Sequence, residues 1–227
     1  MPIQESFQHI KIVIQKEAGN RPVTLVAVTK YASVQQMQKA YQAGIRHFGE
    51  NKVQDALAKM AFFPLENFPD LSWHLIGGLQ SNKAKKTVGR FALIHSVDSI
   101  SLAEILSRHN ATAGLKQDVL LQVNMSEDTT RQGLSPEALL TASQHIVSLP
   151  GIALRGLMVM APPEASFNQD EFALKACFQK VLALKEELEV QQRIGLPELS
   201  MGMSHDFPQA LACGATIIRI GNYLFKT

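Results

Sequence analysis

The chain alternates short, strongly apolar runs with longer segments whose apolar residues recur every three or four positions. Val119-Leu120-Leu121-Gln122-Val123 and Thr216-Ile217-Ile218-Arg219-Ile220 are nearly unbroken rows of aliphatic side chains. Strands buried on both faces of a parallel sheet have this character, because neither face meets water. The runs predict strands at 24–30, 46–50, 72–77, 93–98, 119–124, 153–160, 198–203 and 216–221.

The intervening segments are helical in pattern. Val34, Met37, Tyr41 and Ile45 share one helical face that closes near Gly44. Ser135-Pro136-Glu137 supplies an N-cap, a first-turn proline and an acid suited to the helix dipole, opening a helix that stops near Pro150. Leu174, Cys177, Val181, Leu184 and Leu188 form the stripe of the longest helix, too short for a sustained heptad and so assigned to core packing. Alternation of this kind predicts an α/β protein, a single (β/α)8 TIM-type barrel with its helices outside. An open doubly wound sheet is the competitor, but no Gly-x-Gly-x-x-Gly follows the first strand. Only the run Asn222 to Thr227 follows the eighth strand, so an extra N-terminal helix around Phe7, Ile10 and Ile14 is expected to cover that side. With no linker or low-complexity stretch, residues 1–227 form one expected domain.

Composition adds mainly exclusions. Hydrophobic residues at 46% and charged residues at 19% suit a water-soluble globular chain. A net charge of +2 gives no reason to expect nucleic acid or an anionic membrane. No apolar stretch reaches transmembrane length, and Met1-Pro2-Ile3-Gln4-Glu5 has no signal-peptide character, so a cytoplasmic protein is expected. Cys177 and Cys213 are expected to be buried free thiols, as suits that compartment. No interface signal is visible, which makes a monomer the expectation.

In such barrels chemistry gathers where the strands run out at their carboxyl ends. Those ends bring up Lys30, Glu50, Asn51, Gly77, Gly78, Asp98, Asn124, Met160, Ser204 and Gly221. Lys30 follows an apolar run; turned inward and desolvated it becomes a nucleophilic amine, turned outward it is an ordinary solvated lysine. Ser204-His205-Asp206-Phe207 precedes a helix-like segment and Arg219-Ile220-Gly221-Asn222 closes the last strand. Loops after strands seven and eight are the recurring phosphate site of this architecture, although Ser204 or Asp206 acting only as a helix cap fits equally well. Arg219 shares a strand face with Gly221 and needs an acceptor. That acceptor is either a carboxylate or the ring nitrogen of pyridoxal 5'-phosphate (PLP), whose sites place an acid or an arginine there.

Other features take plainer readings. His74 is expected to be a hydrogen-bonded structural histidine, because no second imidazole or carboxylate stands at metal-ligand spacing. Lys83, Lys85, Lys86 and Arg90 read as the solvated face of a helix, and Met158 and Met160 as core filler.

Across nearly the whole chain the sequence resembles the pyridoxal phosphate homeostasis protein family. The resemblance rests on Leu25-Val26-Ala27-Val28-Thr29-Lys30, Phe48-Gly49-Glu50-Asn51, Trp73-His74-Leu75-Ile76-Gly77, Leu79-Gln80-Ser81-Asn82-Lys83 and His95-Ser96-Val97-Asp98. It continues through Leu121-Gln122-Val123-Asn124, Arg155-Gly156-Leu157-Met158, Leu199-Ser200-Met201-Gly202-Met203-Ser204 and Arg219-Ile220-Gly221. It implies a fold-type III PLP barrel without the second, β-rich domain of alanine racemase. By this resemblance Lys30 matches the Schiff-base lysine and Arg219 the residue facing the pyridine nitrogen. Met203, Ser204 and Gly221 fall in the phosphate cradle, with Asn222 beside them, and Asn51 lies near the ring. It further implies a non-catalytic cytosolic PLP carrier or regulator that acts in vitamin B6 balance and serves apo PLP-dependent enzymes. A small amino-acid racemase or lyase is the enzyme alternative. The chain departs from the family pattern at Gly78 (often histidine), Asn222 (often threonine or serine), Tyr31-Ala32-Ser33 (often Thr-Lys-Pro) and Lys226 (often glycine).

Overall fold

The computed structural model describes residues 2–126, 128, 130–168 and 170–225; Lys226 lies outside them. Eight parallel strands close into a barrel in chain order: β1 Thr24–Val28, β2 His47–Glu50, β3 Ser72–Leu75, β4 Leu93–Val97, β5 Gln117–Val123, β6 Ile152–Val159, β7 Glu198–Ser200 and β8 Ile217–Ile220. Strand β8 returns to β1 with Ala27 opposite Ile220, which leaves no open edge among these strands. Each predicted strand is present, in the predicted order. Three carboxyl ends are shorter than expected by two residues or more: β1 stops at Val28, β3 at Leu75 and β7 at Ser200. Ladder bonds nonetheless run one residue past these ends: Thr29 N–H donates to the Gly49 carbonyl, Ile76 N–H to the Glu50 carbonyl and Met201 N–H to the Ile217 carbonyl.

Most of the core lies between the strands and the helical layer. The helices are α1 Ile3–Ala18, α2 Val34–Gln42, α3 Val53–Met60, α4 Ile100–Thr112, α5 Pro136–Val147, α6 Pro163–Phe167, α7 Glu171–Gln192, α8 Phe207–Ala212 and α9 Asn222–Phe225. Phe48, Ile94, Leu106, Leu121, Ile146 and Phe178 are wholly enclosed in that layer. The expected cap is in place, Ser135 accepting from Ala138 N–H with Pro136 in the first turn, and Ser33, not singled out from sequence, forms a capping box with Gln36. Helix α1 packs on α8 and α9 with Ile10 fully buried, taking the place that the short α9 does not fill. Cys177 and Cys213 are free and buried. The basic segment is helical as expected, as a 3₁₀ helix over Ser81–Thr87, and Lys85, Lys86 and Arg90 are solvated as predicted. Among the described residues, no helix is long and apolar enough to cross a membrane.

The interior is filled differently. Val26, Leu93, Leu120, Met158 and Ile217 form a small apolar cluster inside the barrel, with Ile76 against it. Met158 is thus core filler, whereas Met160 is partly exposed at the end of β6. Gly156 lets β7 come close: it sits at a register shift with φ of 152°, and a Cβ there would lie 1.7 Å from the Glu198 carbonyl oxygen. Polar side chains share the interior with it, among them His74, His95, Ser200 and Arg219, all buried.

Candidate functional site at the barrel mouth

Four neighbouring strands, β7, β8, β1 and β2, bring the predicted site residues to one side of the mouth. Arg219 N–H donates to the Gly202 carbonyl at 2.9 Å, which sets Ser204 and Gly221 at adjacent strand ends. A Cβ on Gly221 would lie 3.2 Å from Val28 Cβ, so β8 packs tightly beside the end of β1. Thr29 N–H donates to the Gly49 carbonyl at 2.9 Å, extending the β1–β2 ladder to the residue before Lys30.

Lys30 shares strand parity with Val26, which faces the barrel interior, and with Val28. Of the two orientations open to it, the structure shows the outward one. With β1 ending at Val28, Lys30 stands in a turn closed by Ala32 N–H donating to the Thr29 carbonyl; it is exposed, with its Nζ 4.9 Å from the centre of the Tyr31 ring. What fixes the backbone here was not evident from sequence. Lys59 of α3 donates to the Thr29 carbonyl at 2.6 Å and to Glu50 Oε1 at 2.7 Å, and Thr29 Oγ1 donates to the same carboxylate oxygen at 2.5 Å. Glu50 is fully buried, so this ion pair ties α3, β1 and β2 together immediately beneath Lys30.

The phosphate-side residues are partly committed. Asp206 does not cap α8 with its side chain; its Oδ1 accepts from Met203 N–H at 2.5 Å and its Oδ2 from Ser166 Oγ at 3.1 Å. The Met203 N–H is therefore used within the loop. Ser204 makes no side-chain hydrogen bond among the described residues and is only partly buried. Asn222 is exposed at the start of α9, directly after Gly221. Directly after β2, Asn51 has a buried Oδ1 with no donor among the described residues. It lines a cavity of about 440 Å³ with Gly77, Gly78, Lys83 and Gln132. The space beside Gly78 is taken by Gln132, whose amide would lie 2.6–2.7 Å from a Cβ there. Asn124 is consumed locally, its Oδ1 accepting from Ser126 N–H at 3.0 Å. Burial raises the Asp98 carboxyl above its ordinary range.

Arg219 is buried and faces the interior. Its Nη1 donates to Ser200 Oγ at 2.6 Å and its Nη2 to the Val159 carbonyl at 2.9 Å. Among the described residues, no carboxylate lies within ion-pair distance of it. Burial lowers its pKa to about 10, with Asp206 pulling the other way.

His74 is hydrogen-bonded, as expected, but its partners are imidazoles that chain spacing did not reveal. Its Nε2 is 3.0 Å from His47 Nδ1, its Nδ1 is 2.9 Å from His95 Nε2, and His95 Nδ1 is 2.9 Å from Ser200 Oγ. Burial, then the neighbouring His47, pushes His74 down to about 3, and burial holds His95 well below its ordinary value. At the half-buried end burial lowers His47 too, against a smaller opposing pull from Glu198. No group of metal-ligating side chains is present among the described residues. One signal could have found this row: adjacent strands β2, β3 and β4 each carry one histidine at an inward position.

The family model for the alanine racemase N-terminal domain matches residues 6–227. A pyridoxal phosphate homeostasis protein of Haemophilus influenzae is 36% identical, over 96% of this chain and 91% of its own length. PipY of Synechococcus elongatus, solved both without PLP and with PLP bound, is 41% identical with a TM-score of 0.86, covering 98% of this chain and 99% of PipY. Alanine racemase of Clostridium difficile shares the fold alone, at 12% identity and a TM-score of 0.72 over 97% of this chain and 56% of the racemase. The chain belongs to the alanine racemase N-terminal domain family and, within it, to the pyridoxal phosphate homeostasis proteins.

Proposed function

We propose that this protein binds PLP at the mouth formed by β7, β8, β1 and β2 and acts in PLP homeostasis, without catalytic turnover. The observation that carries this reading is Arg219, a buried guanidinium that meets only neutral acceptors among the described residues. Of its five N–H groups two are used in those bonds. A neutral heteroaromatic nitrogen suits the others, since it accepts one hydrogen bond and brings no second charge into the interior. Asn51, with its undonated buried oxygen, is assigned to the ring, and Ser204, Gly221, Asn222 and the side chain of Met203 to the phosphate. Lys30 is the amine for the Schiff base; its exposure leaves it free to meet an aldehyde entering from solvent.

PLP would supply an electron sink, and the residues around it govern how strong that sink is. An acid beside the ring nitrogen keeps it protonated. Arg219 instead donates to an unprotonated nitrogen and weakens the sink, which favours holding the cofactor over carbanion chemistry at its amino-acid adducts. The same reading makes residues 1–227 a single PLP-binding domain, monomeric and cytoplasmic, passing cofactor to apo PLP-dependent enzymes. The test is an absorbance spectrum with PLP, followed by borohydride reduction and peptide mass mapping. A visible band and a mass increment on the peptide containing Lys30 are expected, both lost in Lys30→Ala. A band that survives in that variant defeats the lysine assignment, and α-proton exchange of either alanine enantiomer at a useful rate defeats the non-catalytic reading.

A further inference from the structure

Five inward-facing side chains, His47, His74, His95, Ser200 and Arg219, run through the barrel as one line of hydrogen bonds from the half-buried end beside Glu198 to the predicted site. Such a line has a direction. A guanidinium only donates, so Ser200 Oγ accepts at the 2.6 Å contact with Arg219. Ser200 is fully buried, and among the described residues its hydroxyl has one remaining polar neighbour, His95 Nδ1 at 2.9 Å. The single serine proton therefore goes to that nitrogen, and the proton of His95 resides on Nε2, from which it is donated to His74 Nδ1. The same step carries the His74 proton to Nε2 and on to His47 Nδ1, leaving His47 with a free Nε2–H at the partly exposed end. One hydrogen then occupies each contact. An imidazolium at either inner position would force two hydrogens into one contact, in keeping with the low basicity of His74 and His95.

We propose that Ser200, His95, His74 and His47 are positioning residues that act through Arg219: by their single hydrogen direction they hold its guanidinium plane and leave its remaining N–H groups for a ligand acceptor. The identity of that acceptor rests on the PLP reading above; the direction of the line does not. The groups that face the line from packed elements are Glu198 on β7 beside His47 and Asp206 near Arg219.

Proton–nitrogen correlation spectra of cofactor-free protein with isotope-labelled histidine read the direction without altering the line. Neutral Nε2–H tautomers are expected at His47, His74 and His95, assigned by the signals lost in His47→Gln, His74→Gln and His95→Gln. An Nδ1–H tautomer or an imidazolium at His74 or His95 at neutral pH overturns the proposal. With labelled arginine, Arg219 is expected to show resolved, slowly exchanging Nη–H signals in the native protein and in Ser200→Thr, and averaged ones in Ser200→Ala; identical spectra in all three overturn the positioning role. In PLP-loaded protein, Ser200→Ala is expected to shift the absorption maximum and weaken binding on the order of tenfold, the effect of one charge-assisted hydrogen bond, with Ser200→Thr restoring both. An unchanged maximum and affinity count against it. Should the native protein take up no PLP, the cofactor reading fails while the histidine and arginine spectra still decide this one.

Discussion

The interior of the barrel and its mouth treat polar groups in opposite ways. Inside, His74, His95, Ser200 and Arg219 are buried and hydrogen-bonded to one another in an unbroken line. At the mouth, Lys30 and Asn222 are exposed, Ser204 has no side-chain partner among the described residues, and Asn51 has a buried oxygen without a donor. Burying unpaired polar groups is costly, so the inner set survives only because each member satisfies the next. The outer set has water or a ligand to satisfy it. The contrast separates support from contact: the interior is built to be rigid, the mouth to be completed by something else.

Breaking the interior line should have the largest effect on stability. His95→Leu removes the imidazole between His74 and Ser200, leaving His74 Nδ1 without a donor and the Ser200 hydroxyl hydrogen without an acceptor. Each unpaired buried group costs about 1–3 kcal/mol, so a loss of roughly 3 kcal/mol is expected in urea unfolding. A loss below about 1 kcal/mol would mean the inner groups are not mutually dependent, and the contrast with the mouth would collapse.

The ion pair below the mouth comes next. Lys59→Met strips the fully buried Glu50 of its cation, and Glu50 Oε2 already has no partner among the described residues. About 3 kcal/mol is expected for leaving a buried carboxylate alone, tempered by the partial exposure of Lys59. The double variant Glu50→Leu/Lys59→Met should recover most of that, because no charge remains to be buried. A double variant as unstable as the single one would instead point to the lost bond from Lys59 to the Thr29 carbonyl.

A third effect is graded by pH. His74 and His95 have depressed basicity when folded, while the unfolded chain titrates near the ordinary value of 6.5. Below that pH the unfolded state binds more protons than the native state. Stability is therefore intact above about pH 6.5 and lost as pH falls toward about 3, where His74 itself titrates. Each imidazole contributes a slope of about 1.4 kcal/mol per pH unit in that window. Denaturant titrations at several pH values measure this, and His74→Gln should remove about one proton's share; an unchanged slope in that variant excludes His74 as a source.

The strand pattern was legible because parallel strands enclosed on both faces must be apolar almost throughout, and that survives as runs such as Val119 to Val123. Strand ends were less legible: Thr29 still pairs with Gly49, yet the chain turns at Lys30, beyond the last bond of the β1–β2 ladder. The site was legible at Arg219, where a charge inside an apolar strand demanded an acceptor. Its actual partner, Ser200, lies 19 residues earlier, and the neighbours of His74 lie 27 and 21 residues away. Metal-ligand spacing along the chain cannot register contacts made across a barrel. Strand parity can, since it sets the histidines of β2, β3 and β4 on the inside. Lys59 had no comparable signal; its role depends on α3 lying over the β1–β2 seam.

The smallest effect should come from the mouth itself. Gly78→His restores the residue type common in the family, and a Cβ there would come within 2.6–2.7 Å of the Gln132 amide. Such a clash would be severe against backbone, as for Gly77, whose Cβ would lie 2.4 Å from the Asn51 carbonyl oxygen. Gln132, however, is the exposed end of a flexible side chain and can swing into solvent. Gly78 also needs no left-handed backbone, so no strain is added. The variant should unfold within about 0.5 kcal/mol of the native protein, as surface changes usually do. Because the new imidazole enters the cavity that Asn51 lines, its consequence should appear in the affinity for PLP instead. A destabilisation above about 2 kcal/mol, in the range of core damage, would show that this side of the mouth is packed like the interior and is not held open for a ligand.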